Sequence, residues 1–207
     1  MISGIQADAP SVLTELISRL GLEDARLCLI RHSVGLNWRQ AHLSTADKVS
    51  HLTDGLYQCQ PNRVFEVVGR EFSKNKDRLH ELAEQPDEVI SLISRIQVHT
   101  GQFHLAIMNL HPESDMNVAS VINVVDAVTG NMPGYLLSSG RHFHFYGLRL
   151  LDQLEWCKFL ASWLMPTIIV SPRYIGHCLY REYAALRLTT SKPHKPVLPY
   201  VISTVNM

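Results

Sequence analysis

The chain is poor in the residues that staple or anchor a protein. It has four cysteines, Cys28, Cys59, Cys157 and Cys178, with no CxxC pair among them. That scatter excludes a disulfide framework and a zinc ribbon and reads as reduced thiols in a cytoplasmic protein. No apolar run has the length needed to cross a bilayer, and "MISGIQADAPSVL" lacks the basic and apolar regions of a secretory signal, so no membrane partner is expected. Charge is sparse as well, 18% of residues with a formal net charge of zero, and the whole chain does not advertise a polyanionic partner. Aspartate runs out early: Asp152 is the last, and Glu182 is the only acid after Glu155. What remains is largely apolar, 46% of 207 residues, enough for one sizeable core.

The little charge present is unevenly placed. Residues 1–150 hold 13 Lys/Arg against 16 Asp/Glu, and residues 151–207 hold 6 against 3. A locally basic C-terminal part is a mild pointer to phosphate-bearing ligands.

Periodicity sets the elements. "SVLTELISRLG" carries a helical apolar stripe stopped by Gly21, and "RLCLIRHSV" reads as a strand. Residues 36–62 are ambiguous, and "RVFEVVGREF" fits a strand or a helix start. "NKDRLHELAEQPDEVISLISRIQ" is helical in propensity, split at Pro86. Beyond residue 100 the pattern sharpens. "FHLAIMNLHP" is a buried strand, Ser114 caps a helix through "DMNVASVINVVDAV" to Gly130, and "GYLLSSG" and "HFHFYG" are strands around a turn. Asp152 and Glu155 form a capping box for a helix ended by Pro166. "TIIVS" and "YAALRLT" read as strands, and the basic "TSKPHKP" as an extended tail. The order predicts an α+β domain, a sheet covered by helices on one face. Residues 1–100 are expected to be a mostly helical portion packed on a core of residues 101–207.

The stretch "YLLSSGRHFHFYG" (135–147) is the one that suggests chemistry. Strand period puts His142 and His144 on one face and Phe143 and Phe145 on the other. Beside the imidazoles stands a turn of Ser138, Ser139, Gly140 and Arg141, whose hydroxyls, backbone N–H groups and guanidinium suit a phosphate. On spacing alone a wet β-hairpin accounts for the same residues. Downstream, Arg173, Arg181, Arg187, Lys192 and Lys195 alternate with Tyr174, Tyr180 and Tyr183, a mixture that single-stranded nucleic acid uses and that a surface of snorkelling side chains also produces.

"SSGRHFHFYG" resembles the second signature of archaeo-eukaryotic primases and primase-polymerases, a small-residue turn followed by a strand bearing a histidine. The resemblance spans about residues 100–196, including "IIVSPRYIGHCLYREYAALRLTTSKP", similar to the family's last core strands. It implies a primase-polymerase-like (RRM-like) sheet core flanked by helices. It also implies nucleotide or phosphate binding by Ser138, Ser139, Gly140, Arg141, His142 and His144, with Arg173, Arg187 and Lys192 toward a nucleic-acid backbone.

The departure is in the acids. Active members carry Asp-x-Asp on the strand before the helix and a third Asp later, holding two divalent metals. Here the pair positions are Asn109 and His111, and the third Asp has no counterpart. An amide and an imidazole are poor ligands for Mg²⁺. The expectation is therefore a catalytically degraded protein with no confident catalytic residue and no resident metal, binding a nucleotide or single-stranded nucleic acid as an accessory or sensor subunit. Three alternatives stand beside it. An active primase or nucleotidyltransferase would use Mg²⁺ or Mn²⁺ with acids such as Glu113 and Asp115. A zinc site would draw on His111, His142, His144 and His177. A protein-interaction module would have a protein partner and no nucleotide role.

Overall fold

The structure, a computed structural model, describes residues 7–34, 44–46, 61–113, 115–166 and 168–207. The strands are β1 (Arg26–Ser33), β2 (Arg63–Val68), β3 (Glu88–Val98), β4 (Gly101–Leu110), β5 (Gly134–Ser138), β6 (Phe143–Leu151), β7 (Ala185–Arg187) and β8 (Tyr200–Val205). The helices are α1 (Ala9–Arg19), α2 (Gly69–Asn75), a 3₁₀ segment (Lys76–Leu82), α3 (Val118–Thr129), α4 (Gln153–Ser162) and α5 (Pro172–Arg181). The eight strands form one antiparallel sheet in the order β2-β1-β3-β4-β6-β5-β8, with β7 on β3. This is the α+β class expected. Among the described residues no helix is long and apolar enough to cross a membrane.

Caps and periodicity explain where the clearest elements begin and end. Asp152 accepts from the Glu155 N–H at 2.8 Å while the Glu155 side chain accepts from the Asp152 N–H at 3.1 Å, the capping box read from sequence. The cap of α3 is Asn117, accepting from the Ser120 N–H at 2.9 Å; the Ser114 cap lies outside the described residues. Gly130 ends that helix with φ +64. "RVFEVVGREF" serves both readings: β2 runs into α2 at Gly69.

Four expectations are corrected. Residues 88–98 form β3, not a helix. Val89, Ile90, Ile93, Ile96 and Val98 are β-branched and suit a strand between β1 and its other neighbours, and burial in the sheet overrides the helical propensity of the segment before it. The first hundred residues thus contribute three strands of the common sheet rather than a mostly helical portion. Residues 172–181, aligned with the late core strands, form α5: Pro172 sits at the first helical position, where its fixed φ helps and its missing N–H costs nothing. "TIIVS" is accordingly no strand; Ile169 and Val170 are buried in the turn before α5, and the Ile169 carbonyl accepts from the His111 N–H at 2.7 Å.

Helices cover both faces of the sheet, not one. Phe145 on β6 meets Trp163 just after α4, ring centroids 6.4 Å apart. Its cross-strand register places Leu136 beside it, whereas Tyr146 pairs with Tyr135 on the opposite face. Tyr135 lies beside Glu15 and Arg19 of α1. Trp156, Trp163, Phe145 and Tyr146 are at most 1% exposed, and each apolar side chain of that size contributes about 1.5–3 kcal/mol by leaving water. β3 pairs with β4 over residues 95–98 and with β7 over residues 91–93. β7 thus enters where β3 and β4 part, and it carries Arg187 toward the ends of β5 and β6.

Candidate anion-binding site

The 138–142 turn is held by its own polar groups. Ser139 donates both its N–H and its hydroxyl to the His142 carbonyl, at 2.8 and 2.9 Å. The Gly140 N–H donates to Ser138 Oγ at 3.3 Å. Gly140 has φ +98, which a side chain rarely tolerates. Both hydroxyls, offered to a phosphate in the sequence reading, help to shape the turn, and Ser138 is 9% exposed behind it.

Facing the turn is the loop of residues 191–197. It was expected to be extended and is a tight turn: Ser191 and Lys195 exchange backbone bonds of 2.8 and 2.9 Å, and Ser191 Oγ donates to the Pro86 carbonyl at 3.1 Å. Between turn and loop lies a cleft of about 450 Å³, lined by Val34, Ser139, Gly140, Arg141, His142 and Pro193 through Val197, a size that suits a small ligand. Sequence reasoning placed Ser139, Gly140, Arg141 and His142 at the turn and named Lys195 only in the separate basic and aromatic set. It missed His194, whose one signal was the proline-spaced basic segment.

Arg187 stands behind the turn. It is 7% exposed; its Nη2 donates to the Ser139 carbonyl at 3.1 Å and its Nη1 to the Thr189 carbonyl at 2.5 Å. No carboxylate pairs with it among the described residues, and burial pulls its guanidinium down to about 10. Burial, together with the Arg187 and Arg141 guanidinium groups, also lowers the Lys195 ammonium.

His144 lies deeper, 4% exposed and opposite Asn109 across the β4–β6 ladder. Burial first, then Arg187, His111, Lys195 and His142, push its imidazole down to about 3. It is neutral at physiological pH and does not line the cleft. Its Nδ1, Asn109 Oδ1 and the Tyr146 hydroxyl are buried without a hydrogen-bond partner among the described residues. His111 stacks on His142 at 4.1 Å and sits 6.4 Å from the Tyr174 ring.

The remaining basic candidates are dispersed. Lys192 is exposed at the start of the loop, and Arg173 is half-buried on α5. Arg173, His177 and Arg181 share one stripe of that helix by their spacing; burial and the two guanidinium groups lower the His177 imidazole. None of the three lines the cleft.

Metal chemistry does not fit the donors present. Among the described residues no three of His, Cys, Asp and Glu are grouped to hold an ion, which removes the zinc arrangement of His111, His142, His144 and His177. At the end of β4 the positions implied for a metal-binding pair are the Asn109 amide and the His111 imidazole, not the anionic oxygens that Mg²⁺ or Mn²⁺ takes. Glu113 and Asp115 are exposed beyond the strand.

Neither a curated protein nor a solved structure matches the chain. Residues 69–200 match the family described as archaeo-eukaryotic primase 1D-like. That stretch is more than half of the chain and contains β3 to β7, the turn and the basic loop. The protein belongs to the archaeo-eukaryotic primase 1D-like family.

Proposed function

We propose that this primase-like protein binds a nucleoside triphosphate, or the phosphate-bearing end of a nucleic acid, in the cleft between the 138–142 turn and the 191–197 loop. It acts there as an accessory or sensor subunit without two-metal catalysis. The observation that carries this reading is Arg187, a buried guanidinium with two carbonyl partners and, among the described residues, no carboxylate. Burying an uncompensated cation is costly. An anionic ligand seated in the cleft, with Arg141 and Lys195 on its walls, offsets that cost. His142 and His194 add imidazole N–H donors in the lining, and the exposed Lys192 would meet a continuing phosphate backbone.

Thermal unfolding against ribonucleoside and deoxyribonucleoside triphosphates and short single strands tests this. A ligand at one hundred times its dissociation constant stabilises the wild type by about 2.7 kcal/mol, and the Arg141→Ala, Lys195→Ala double variant loses that stabilisation. Both side chains are exposed, so the variant keeps the fold. Equal shifts in wild type and variant sink the proposed cleft, and no shift with any ligand leaves the interaction module.

A further inference from the structure

We propose that the cleft takes a polyphosphate chain as the metal-free anion, with Arg141, Lys195 and Arg187 supplying the positive charge that divalent cations supply in two-metal sites. The inference rests on the nucleotide-binding reading above. It deepens that reading by naming the charge state of the ligand.

Three observations converge. The first is the donor set at the end of β4, an amide and an imidazole in place of carboxylates, with no three-residue metal group elsewhere among the described residues. The second is the field. The charged or titratable groups that shift His144 are Arg187, His111, Lys195 and His142, and those that shift Lys195 are Arg187 and Arg141. Among the described residues no carboxylate enters either set, so a hard divalent cation entering here meets repulsion from these groups. The third is the arrangement of the fixed cations. Arg141 is on the turn, Lys195 on the opposite wall, and Arg187 binds the turn from behind through the Ser139 carbonyl. A phosphate chain between the walls meets charge on both flanks.

A complexed divalent cation removes charge from the phosphate chain that the fixed cations would otherwise neutralise. Magnesium should therefore weaken binding rather than support it. This is the reverse of what a two-metal site requires.

The test is calorimetric titration of the full chain with inorganic tripolyphosphate and with ATP. One buffer contains EDTA, and the other contains Mg²⁺ in excess over ligand at matched ionic strength. The expected result is binding in EDTA that weakens about tenfold in Mg²⁺ and is lost in the Arg141→Ala, Lys195→Ala variant. Binding that needs Mg²⁺ or Mn²⁺, or is tightened by either, overturns the metal-free site while leaving nucleotide binding in place. No binding in either buffer overturns both. Tripolyphosphate matching ATP assigns recognition to the phosphates, and ATP binding alone, without tripolyphosphate, overturns a polyphosphate grip.

Discussion

Two arginines of this protein are buried to nearly the same degree and live in opposite electrostatic company. Arg31 on β1 is 8% exposed and Arg187 on β7 is 7% exposed. Arg31 pairs with Glu84 and lies 3.4 Å from Glu88, and the Glu84 hydrogen bond raises its affinity for a proton. Glu88 is itself saturated, accepting from the Glu84 and Gln85 N–H groups at 2.7 and 2.9 Å and from the Asn62 amide at 2.7 Å. Arg187 has two carbonyl oxygens and, among the described residues, no acid, and its proton affinity falls to about 10. The fold can neutralise a buried guanidinium, and does so at Arg31. At Arg187 it leaves the charge on two carbonyls behind the turn that walls the cleft. The first arrangement is a closed structural pair; the second is half of a pair whose other half arrives from solution.

Removing Glu88 leaves Arg31 on Glu84 alone and takes the acceptor from three donors, the Glu84 and Gln85 N–H groups and the Asn62 amide. Loss of one partner from such a buried cluster in Glu88→Ala costs about 3 kcal/mol. Urea unfolding measures this, and nucleotide should not restore the loss. A loss under about 1 kcal/mol would mean that the pair behaves as a surface salt bridge and that the contrast with Arg187 is overdrawn.

The next effect is read by pH. His144 sits in the field of Arg187 and Lys195, and its imidazole falls from the ordinary 6.5 to about 3 on folding. The unfolded chain therefore takes up a proton below pH 6.5 that the folded chain refuses. The resulting stability is complete above that pH and drains away as pH falls toward 3. One proton gives a slope of up to about 1.4 kcal/mol per pH unit. His144→Gln should flatten the unfolding profile between pH 6.5 and 4 relative to wild type. Parallel profiles would show that His144 is protonated in the folded protein and that the positive field is compensated.

Much of this layout was legible in the residues, and the limits were physical. The turn, the strands beside it and the capping box depend on contacts within a few residues, so Gly140, Asp152 and Glu155 announce them. The phosphate-like appearance of Ser138, Ser139 and His144 also came from local spacing, but spacing cannot show that Ser139 spends its hydroxyl on His142 or that His144 is roofed over. Lys195 and Arg187 reach the site through long-range contacts, one by a loop folded against Pro86 and one by a strand inserted between β3 and β4. The segment that became β3 carried helical propensity at its start, and only the neighbouring strands decide it. The ambiguous stretch at residues 36–62 lies mostly outside the described residues.

The smallest expected change in stability is the most informative comparison, because it exchanges one arginine at a time for a side chain of similar length without charge. Arg31→Met leaves Glu88 buried without its guanidinium neighbour and should destabilise clearly. Arg187→Met removes a desolvated cation that has no acid to abandon. It forfeits the bonds to the Ser139 and Thr189 carbonyls, each worth about 1 kcal/mol net, and it relieves the cost of burying the charge. The two nearly cancel, so unfolding free energy should move by less than about 1 kcal/mol. Nucleotide stabilisation should disappear in the same variant, and the depressed His144 titration should move back toward its ordinary value as the largest nearby charge is lost. A protein that stays folded and loses its ligand would show that Arg187 is kept for binding. A protein that unfolds with Arg187→Met as readily as with Arg31→Met would mean that both arginines are structural, and the cleft would lose its strongest argument.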